Sequence, residues 1–510
     1  MDALGIDIGS TNVKVVLVRD DGTTVGAAHR PLSWIRQGDV AEQDAEAQWD
    51  AVVGALDDLS SAVGAAAMAE VRAIGLCAQY SSIVPVDADL LPLAPMRLYF
   101  DQRGTPHCFD ILGRHESAFA TWMERHPIPP IGGGLALGHL LALQLDAPEV
   151  HARTAHYLEP VDYVTARLTG VVQATQGSMF ASQLIDNRTL GATTYDAELV
   201  AMAEVDADRL PPLVLVGSVV GPVRAELAHR FGLAADVPVL TGMTDSCAGA
   251  LATGASLPGR VGVAIGTTGV VLSSAPELGA DFDHEVLTMP GLRTDEYLVS
   301  AENGIAGRSV EHVLRSFVHA DDALGSHGAP DPFTGFEAAL AASVPGAGGV
   351  RFLPWFSGSM SPQADSSVRG GFIGVSLDTQ RVDLVRAAAE GVAHNLRWLL
   401  GPVEAFTGQE AAEVVLTGGA ARSPGWSQIL ADVLQRPVRT IVEPDHSGAR
   451  AAAGWALDQV GVAAGVDWVR LDASFEPDAS VAAVHDHAQG QFTAAFDALR
   501  PLALGTPPPI

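Results

Sequence analysis

Leu4-Gly5-Ile6-Asp7-Ile8-Gly9-Ser10-Thr11-Asn12-Val13-Lys14-Val15-Val16-Leu17-Val18 is the most informative stretch of the chain. From Ala3 to Ile8 the residues are apolar and β-prone. Gly9 to Asn12 are small turn residues, and Val13 to Val18 form a second strand closed by Asp20-Asp21-Gly22. The spacing predicts a β-hairpin. The same pattern returns about half a chain later as Val261 to Ile265, Gly266-Thr267-Thr268-Gly269 and Val270 to Ser273. Two such hairpins, each opening one half of the chain, predict a duplicated α/β domain. A pair of related halves places a ligand in the cleft between them.

Around the hairpins, helices alternate with strands. Ala47 to Ala67 reads as an amphipathic helix and Val71 to Ala78 as a buried strand ending at Gln79-Tyr80-Ser81-Ser82. Val237 to Thr241 reads as a short strand with its proline near the start. It leads through Gly242-Met243-Thr244-Asp245-Ser246 into a helix of small residues, Cys247 to Leu251. Later, Val382 to Leu400 carries a 3.6-residue apolar stripe, with Asp378 or Thr379 placed to cap its start. Glu413 to Leu416 is a strand, Thr417 to Ala421 a glycine-rich turn and Gly425 to Val433 a helix. The proline-rich tail, Gly505 to Ile510, is expected to be loose.

Composition narrows the function. At about 150 residues per domain, 510 residues give two to four domains. A hydrophobic content of 48% supports more than one core and excludes a disordered chain or a disulfide-stapled miniprotein. The net charge of -30 disfavours nucleic acid and anionic membrane as partners. Lys14 is the only lysine, so the chain has no Gly-Lys-Ser/Thr phosphate loop, and a Schiff-base enzyme would have to use this strand residue. Cys77, Cys108 and Cys247 are too widely spaced for a disulfide framework or zinc site, and are expected as buried thiols in a reducing compartment. The acidic N-terminus does not read as a signal peptide, and no apolar run reaches 18 residues, so a cytoplasmic protein is expected. His107, His139 and His394 are expected at the surface or satisfied in the core.

The chemistry concentrates in three places. A turn of small residues presents backbone N–H groups and hydroxyls to phosphate oxygens, which fits both Gly9-Ser10-Thr11-Asn12 and Gly266-Thr267-Thr268. Asp7 points an acid at the same place, which calls for Mg²⁺ held through water. Lys14 either reaches the phosphates or faces solvent. Asp245, between a strand and a helix, is either an N-cap or a general base. Gly418-Gly419-Ala420 carries no side chain that would obstruct an adenine or ribose.

Together these segments resemble the FGGY carbohydrate kinases. Asp7 to Lys14 resembles that family's first phosphate motif, Gly242 to Asp245 its catalytic-aspartate segment, and Gly266 to Gly269 its second phosphate motif. Thr417 to Pro424, followed by Trp426, Gln428, Ile429 and Asp432, resembles its adenosine motif, with Ser423 inside it. Arg386-Ala387 and Glu390-Gly391 match its preceding helix, so the likeness spans about residues 3 to 457. The resemblance implies an α/β fold of two actin-like (ribonuclease H-like) domains with the active-site cleft between them. It divides the chain into 1–248, 249–475 and a C-terminal helix and tail, 476–510. It also implies ATP and Mg²⁺ as cofactors, Asp245 as base, and Asp7 near the metal.

Departures fall where the sugar binds. Gln79-Tyr80-Ser81-Ser82 stands for Gln-Met-His-Gly, and Tyr99-Phe100-Asp101-Gln102-Arg103 for Trp-Asn-Asp-x-Arg. Gly358-Ser359-Met360-Ser361-Pro362 changes a Gly-x-Arg-x-Pro run, while Asp365 and Arg369-Gly370 still match. Gln79, Tyr80, Ser81, Tyr99, Asp101, Arg103 and Thr244 are the expected sugar contacts. Tyr80 and Tyr99 can also be core aromatics, and Asp101 with Arg103 a structural ion pair. The expected activity is phosphorylation of a ketopentose such as D-xylulose or D-ribulose. A polyol kinase (erythritol, threitol or glycerol) and a non-catalytic actin-like sensor are the alternatives. A homodimer is compatible with the sequence, which does not decide it.

Overall fold

The computed structural model describes residues 1–326, 328–329, 331–462 and 468–502. The first half builds a sheet from β1 (Asp2–Ile8), β2 (Asn12–Arg19), β3 (Thr24–Pro31), β4 (Val71–Ala78), β5 (Val219–Pro222) and β6 (Pro238–Leu240). Their spatial order is β5-β6-β4-β1-β2-β3, and Met243–Thr244 pairs with the end of β4. The second half uses β7 (Arg260–Ile265), β8 (Thr268–Ala275), β9 (Tyr297–Ile305), β10 (Glu413–Thr417), β11 (Val438–Ile441) and β12 (Leu471–Phe475). Their order is β12-β11-β10-β7-β8-β9, with Val286–Pro290 and Ala280–Asp281 beyond β9.

The two sheets share one plan. An antiparallel meander, β1-β2-β3 or β7-β8-β9, is extended on its far side by two parallel strands and an antiparallel edge. This is the duplication that the paired hairpins predict, and the molecule is a two-domain α/β protein of the actin-like type.

Seven helices matter for the site: α1 (Ala45–Val63), α2 (Asp245–Thr253), α3 (Gly307–Val313), α4 (Arg381–Thr407), α5 (Pro424–Leu434), α6 (Ser447–Gln459) and α7 (Ala482–Leu499). In the first sheet Leu4, Ile6 and Ile8 pack with α1 through Trp49, Val52, Leu56 and Leu59. Ala3, Val16 and Val18 face α6 through Ala449, Ala453 and Leu457. Helix α6 lies so close that a methyl on Gly5 or Gly75 would meet the Ala449 or Ala452 carbonyl oxygen at 1.8 or 2.0 Å. Full burial of each such Val, Leu or Ile side chain contributes ~1.5–3 kcal/mol. The second sheet packs Val261, Val263 and Ile265 against α4 and α5. Helix α7 closes the far side by setting Phe492 and Phe496 on Trp355, with ring centroids 5.0 and 5.2 Å apart.

Several boundaries differ from expectation. Gly64, at φ 84°, ends α1 before Ala67, and a short turn, Ala65–Met68, follows. Neither Asp378 nor Thr379 caps α4. Gln380 does, in a reciprocal box where Asp383 Oδ2 accepts the Gln380 N–H at 2.8 Å. The same helix runs past Leu400 and Pro402 to Thr407, because losing one N–H is outweighed by burying Val403, and Gly408 (φ 66°) ends it. Residue 248 lies inside α2, and the stretch 254–259 links the sheets. The tail from Gly505 lies outside the described residues. Cys77, Cys108 and Cys247 are free and buried. Among the described residues no helix is long and apolar enough to cross a membrane.

Candidate active site

The alternation that sends Leu4, Ile6 and Ile8 toward α1 puts Asp7 on the α6 face of β1. Asp7 lies directly opposite Lys14 in the hairpin register. Lys14 is therefore the half-buried cross-strand neighbour of Asp7, beside the Gly9 to Asn12 turn. Crowding by protein lifts the Asp7 carboxyl above its ordinary range, partly offset by Lys14, a hydrogen bond with the Cys77 thiol, and His446.

The two turns are anchored alike. Gly9 N–H donates to the Asn12 carbonyl at 3.0 Å, the Ser10 carbonyl accepts Gln43 Nε2 at 2.9 Å, and the Thr11 carbonyl accepts Leu32 N–H at 2.8 Å. Gly266 N–H donates to the Thr268 carbonyl at 3.0 Å, while the Thr267 carbonyl accepts the N–H groups of Ala306 and Arg308 at 3.0 and 3.3 Å. The carbonyls are held from behind. The N–H groups of Ser10, Thr11 and Thr267 have no acceptor among the described residues. Free donors on a fixed turn are what a phosphate needs.

Asp245 is the first residue of α2, and its N-cap alternative is removed: Thr244 is the cap, accepting Cys247 N–H at 3.3 Å. Asp245 Oδ1 accepts the Ser246 N–H at 2.8 Å, and the Ser246 hydroxyl is a second hydrogen-bonding neighbour of the same carboxyl. Solvent reaches this carboxyl, yet the walls of both domains crowd it. Desolvation, then repulsion by Asp7, pushes its pKa up to about 7. Thr244 itself is buried.

A cavity of about 440 Å³ opens beside the second turn. Ile265, Gly266 and Thr267 line one part, and Gly419, Ala420, Ser423 and Trp426 another. Ser423 caps α5, accepting Trp426 N–H at 3.0 Å, and is tied to Glu337, which also accepts Gly425 N–H at 3.0 Å. Gly418 has a different reason from the one its sequence offers. At φ 80°, a side chain there would strike the Ile265 carbonyl oxygen at 2.5 Å, so its bareness lets the turn pack on β7. Sequence reasoning missed Arg308, which lines this cavity from the first turn of α3 and has no ion-pair partner among the described residues. No motif marks it.

On the expected sugar side, desolvation raises the phenols of Tyr80 and Tyr99; Asp245 adds next at Tyr80, while at Tyr99 Glu302 and then Asp245 add and a hydrogen bond with Ser10 opposes. Tyr99 is 43% exposed and stacks edge-on with Phe100. Gln79 is buried, with Nε2 near Gln43 Oε1 at 3.5 Å and Oε1 without a partner among the described residues. Ser81 Oγ donates to the Gly134 carbonyl at 3.0 Å. Asp101 is fully buried: it accepts Ala41 N–H at 2.9 Å and pairs with Arg103 at 2.7 Å, which also holds Glu42 at 2.6 Å. Ser81, Asp101 and Arg103 thus brace the wall from behind, and the ion pair is structural in this geometry. Of the histidines, His107 meets Asp146 at 2.9 Å, His139 the Ser81 carbonyl at 3.1 Å, and His394 Gln489 Oε1 at 2.8 Å. Glu302, on β9, was also missed by sequence reasoning, and its charge reaches Asp245, Tyr80 and Tyr99.

Comparison with known proteins agrees with this layout. Residues 3–252 match the N-terminal domain, and residues 261–457 the C-terminal domain, of the FGGY family of carbohydrate kinases. A xylulose kinase of Bacillus subtilis is 28% identical over 441 residues, covering 85% of this chain and 84% of its own. The crystal structure of xylulose kinase from Rhodospirillum rubrum is 27% identical with a TM-score of 0.83, covering 99% of this chain and 100% of that one. Gluconate kinase from Lactobacillus acidophilus shares the fold at the same TM-score of 0.83 and 21% identity, covering 98% of both chains. The chain belongs to the FGGY family of carbohydrate kinases and is itself a sugar kinase.

Proposed function

We propose that the protein transfers the γ-phosphoryl group of ATP to a hydroxyl of a ketopentose, D-xylulose or D-ribulose, with Asp245 as general base. The observation that carries this reading is the Asp245 carboxyl: the capping duty has passed to Thr244, its hydrogen bonds among the described residues are only with the adjacent Ser246, and it faces the cleft with a pKa of about 7. A carboxyl so placed takes the proton of an attacking hydroxyl at neutral pH. The sugar O–P bond forms as the bond from the γ-phosphorus to the leaving ADP oxygen breaks, and the proton stays on Asp245.

The nucleotide fits the cavity between Gly266-Thr267 and Gly419-Ala420, with the free N–H groups of Ser10, Thr11 and Thr267 on its phosphates and Arg308 as an added cation. Asp7 and Asp245 repel one another across the cleft, which is the electrostatic setting a divalent cation relieves. Asp7 would hold Mg²⁺ through water, and the ion would neutralise phosphate charge. Similarity to xylulose kinases supports the ketopentose over the polyol alternative. The Asp245 carboxyl so placed weighs against a non-catalytic sensor.

A coupled ADP-release assay tests this with D-xylulose, D-ribulose, L-ribulose, L-xylulose, erythritol, D-threitol and glycerol. A ketopentose should stimulate release most. Asp245→Asn should keep nucleotide binding and lose about 10²–10⁴-fold in turnover. Near-normal turnover in that variant removes Asp245 from the role, and stimulation by a polyol alone replaces the substrate class.

A further inference from the structure

Glu302 has a position that the sequence motifs do not explain. Along β9, Val299 and Ala301 enter the core beneath α4, while Leu298 packs with Cys77, Met243 and Cys247 in the cluster joining the two domains. Alternation therefore puts Glu302 on the Leu298 face. Its cross-strand partner, Val270, packs on that same interdomain cluster, as does Tyr80. Glu302 is half-buried on the cleft side, and its carboxylate makes no hydrogen bond or ion pair among the described residues. The Tyr80 hydroxyl is likewise without a hydrogen-bond partner among them. A crowded carboxylate without a donor is costly unless a ligand supplies one.

The charges that act on Asp245, Glu302, Tyr80 and Tyr99 are negative. Asp7 and Glu302 both act on Asp245, Glu285 acts on Glu302, and Asp245 and Glu302 both act on Tyr80 and Tyr99. No arginine, lysine or histidine is among the groups acting most strongly on these four residues. A gluconate kinase shares this fold, so the fold alone does not choose between neutral sugars and sugar acids.

We propose that Glu302 is a specificity-determining residue of the sugar site: it accepts hydrogen bonds from substrate hydroxyls and, with Asp245, excludes sugar acids, so that the substrate is an uncharged ketose or polyol. The inference rests on the kinase reading and adds to it the residue that holds the sugar and excludes charged ones. A neutral sugar offers O–H donors to Glu302 and Tyr80, and its own oxygens accept from Tyr80. An aldonate brings a further negative charge into a crowded site that already holds Asp245 and Glu302.

The test compares D-xylulose, D-ribulose, erythritol and D-gluconate against the wild type, Glu302→Gln and Glu302→Ala. It uses ADP release for turnover and calorimetric titration, with a non-hydrolysable ATP analogue present, for binding. Glu302→Gln is isosteric and breaks no intramolecular bond, so it should fold. Wild type should bind the best neutral sugar at least about a hundredfold more tightly than gluconate. In Glu302→Gln and Glu302→Ala, KM for that sugar should rise about tenfold or more, with kcat and the KM for ATP little changed. The preference over gluconate should shrink at least about tenfold in both. Preferred binding of gluconate by wild type overturns the inference while leaving a kinase in place. Unchanged sugar KM and unchanged discrimination in both variants also overturn it. Neutral sugars that bind through Glu302 without being phosphorylated overturn the kinase reading and leave the inference standing. Binding of none of the four overturns both.

Discussion

Asp245 and Asp162 are both carboxyls with raised pKa values, and their surroundings give them different roles. In its proposed role Asp245 acts as a base only when ionised, and crowding with Asp7 repulsion pushes its pKa up to about 7. Below that value the active fraction falls tenfold per pH unit, so kcat/KM for the sugar should show an acidic limb breaking near pH 7. A pH–rate profile checks this, and the limb should be absent from the residual activity of Asp245→Asn. Asp162 is buried in the first turn of the helix Pro160–Thr169, with Oδ2 unpartnered among the described residues, and burial pushes its pKa up to about 8. The folded protein therefore holds a proton there that the unfolded chain releases above about pH 4. Stability attributable to this group is highest near pH 4 and is lost as pH rises toward 8. Asp162→Asn should melt higher than wild type at pH 8 and close to it at pH 5, measured by thermal unfolding. Glu159, buried one turn away and shifted in the same direction, adds a slope of the same sign that the substitution leaves in place.

At the scale of elements, the ends of helices carry more information than their middles. The stripe on α4 is legible from Leu384 to Leu399 because apolar residues must return every 3.6 positions to reach the core. Its start was misplaced by one or two residues because Asp378, Thr379 and Gln380 are all capable caps, and only the backbone path selects among them. Asp383→Ala removes half of the capping box and should cost ~1 kcal/mol, read as a shift in urea midpoint at constant m. The hairpin turns were legible for the opposite reason: Gly9 to Asn12 and Gly266 to Gly269 form within a few residues of chain. Register then decides what faces what. Asp7 meets Lys14, and Val270 meets Glu302, through pairings that local sequence does not display.

For the whole molecule, the net charge of -30 acts against compactness. Arginines answer it locally, as in the buried Arg386–Glu390 pair at 2.7 Å and the Arg103 link to Glu42 and Asp101. The excess acid remains at the surface and in the cleft. Melting temperature should therefore rise when salt is increased from low ionic strength to about 0.1 M, where the screening length is about 10 Å, and then level off. Differential scanning calorimetry across a sodium chloride series measures it, and a melting temperature that falls with salt contradicts the argument.

The sequence alone determined the duplicated hairpins, and it supplied the proposed phosphate turns, general base and adenosine turn, since each is a short segment whose chemistry is carried by adjacent residues. Tertiary structure alone decided which carboxylates share the cleft. Residues 7, 245 and 302 lie on three separate elements, and only the stacking of two sheets around α2 and α6 brings them together. It also turned Asp101 and Arg103 into a brace and left Glu302 without a partner among the described residues, because burial and pairing depend on neighbours distant in the chain.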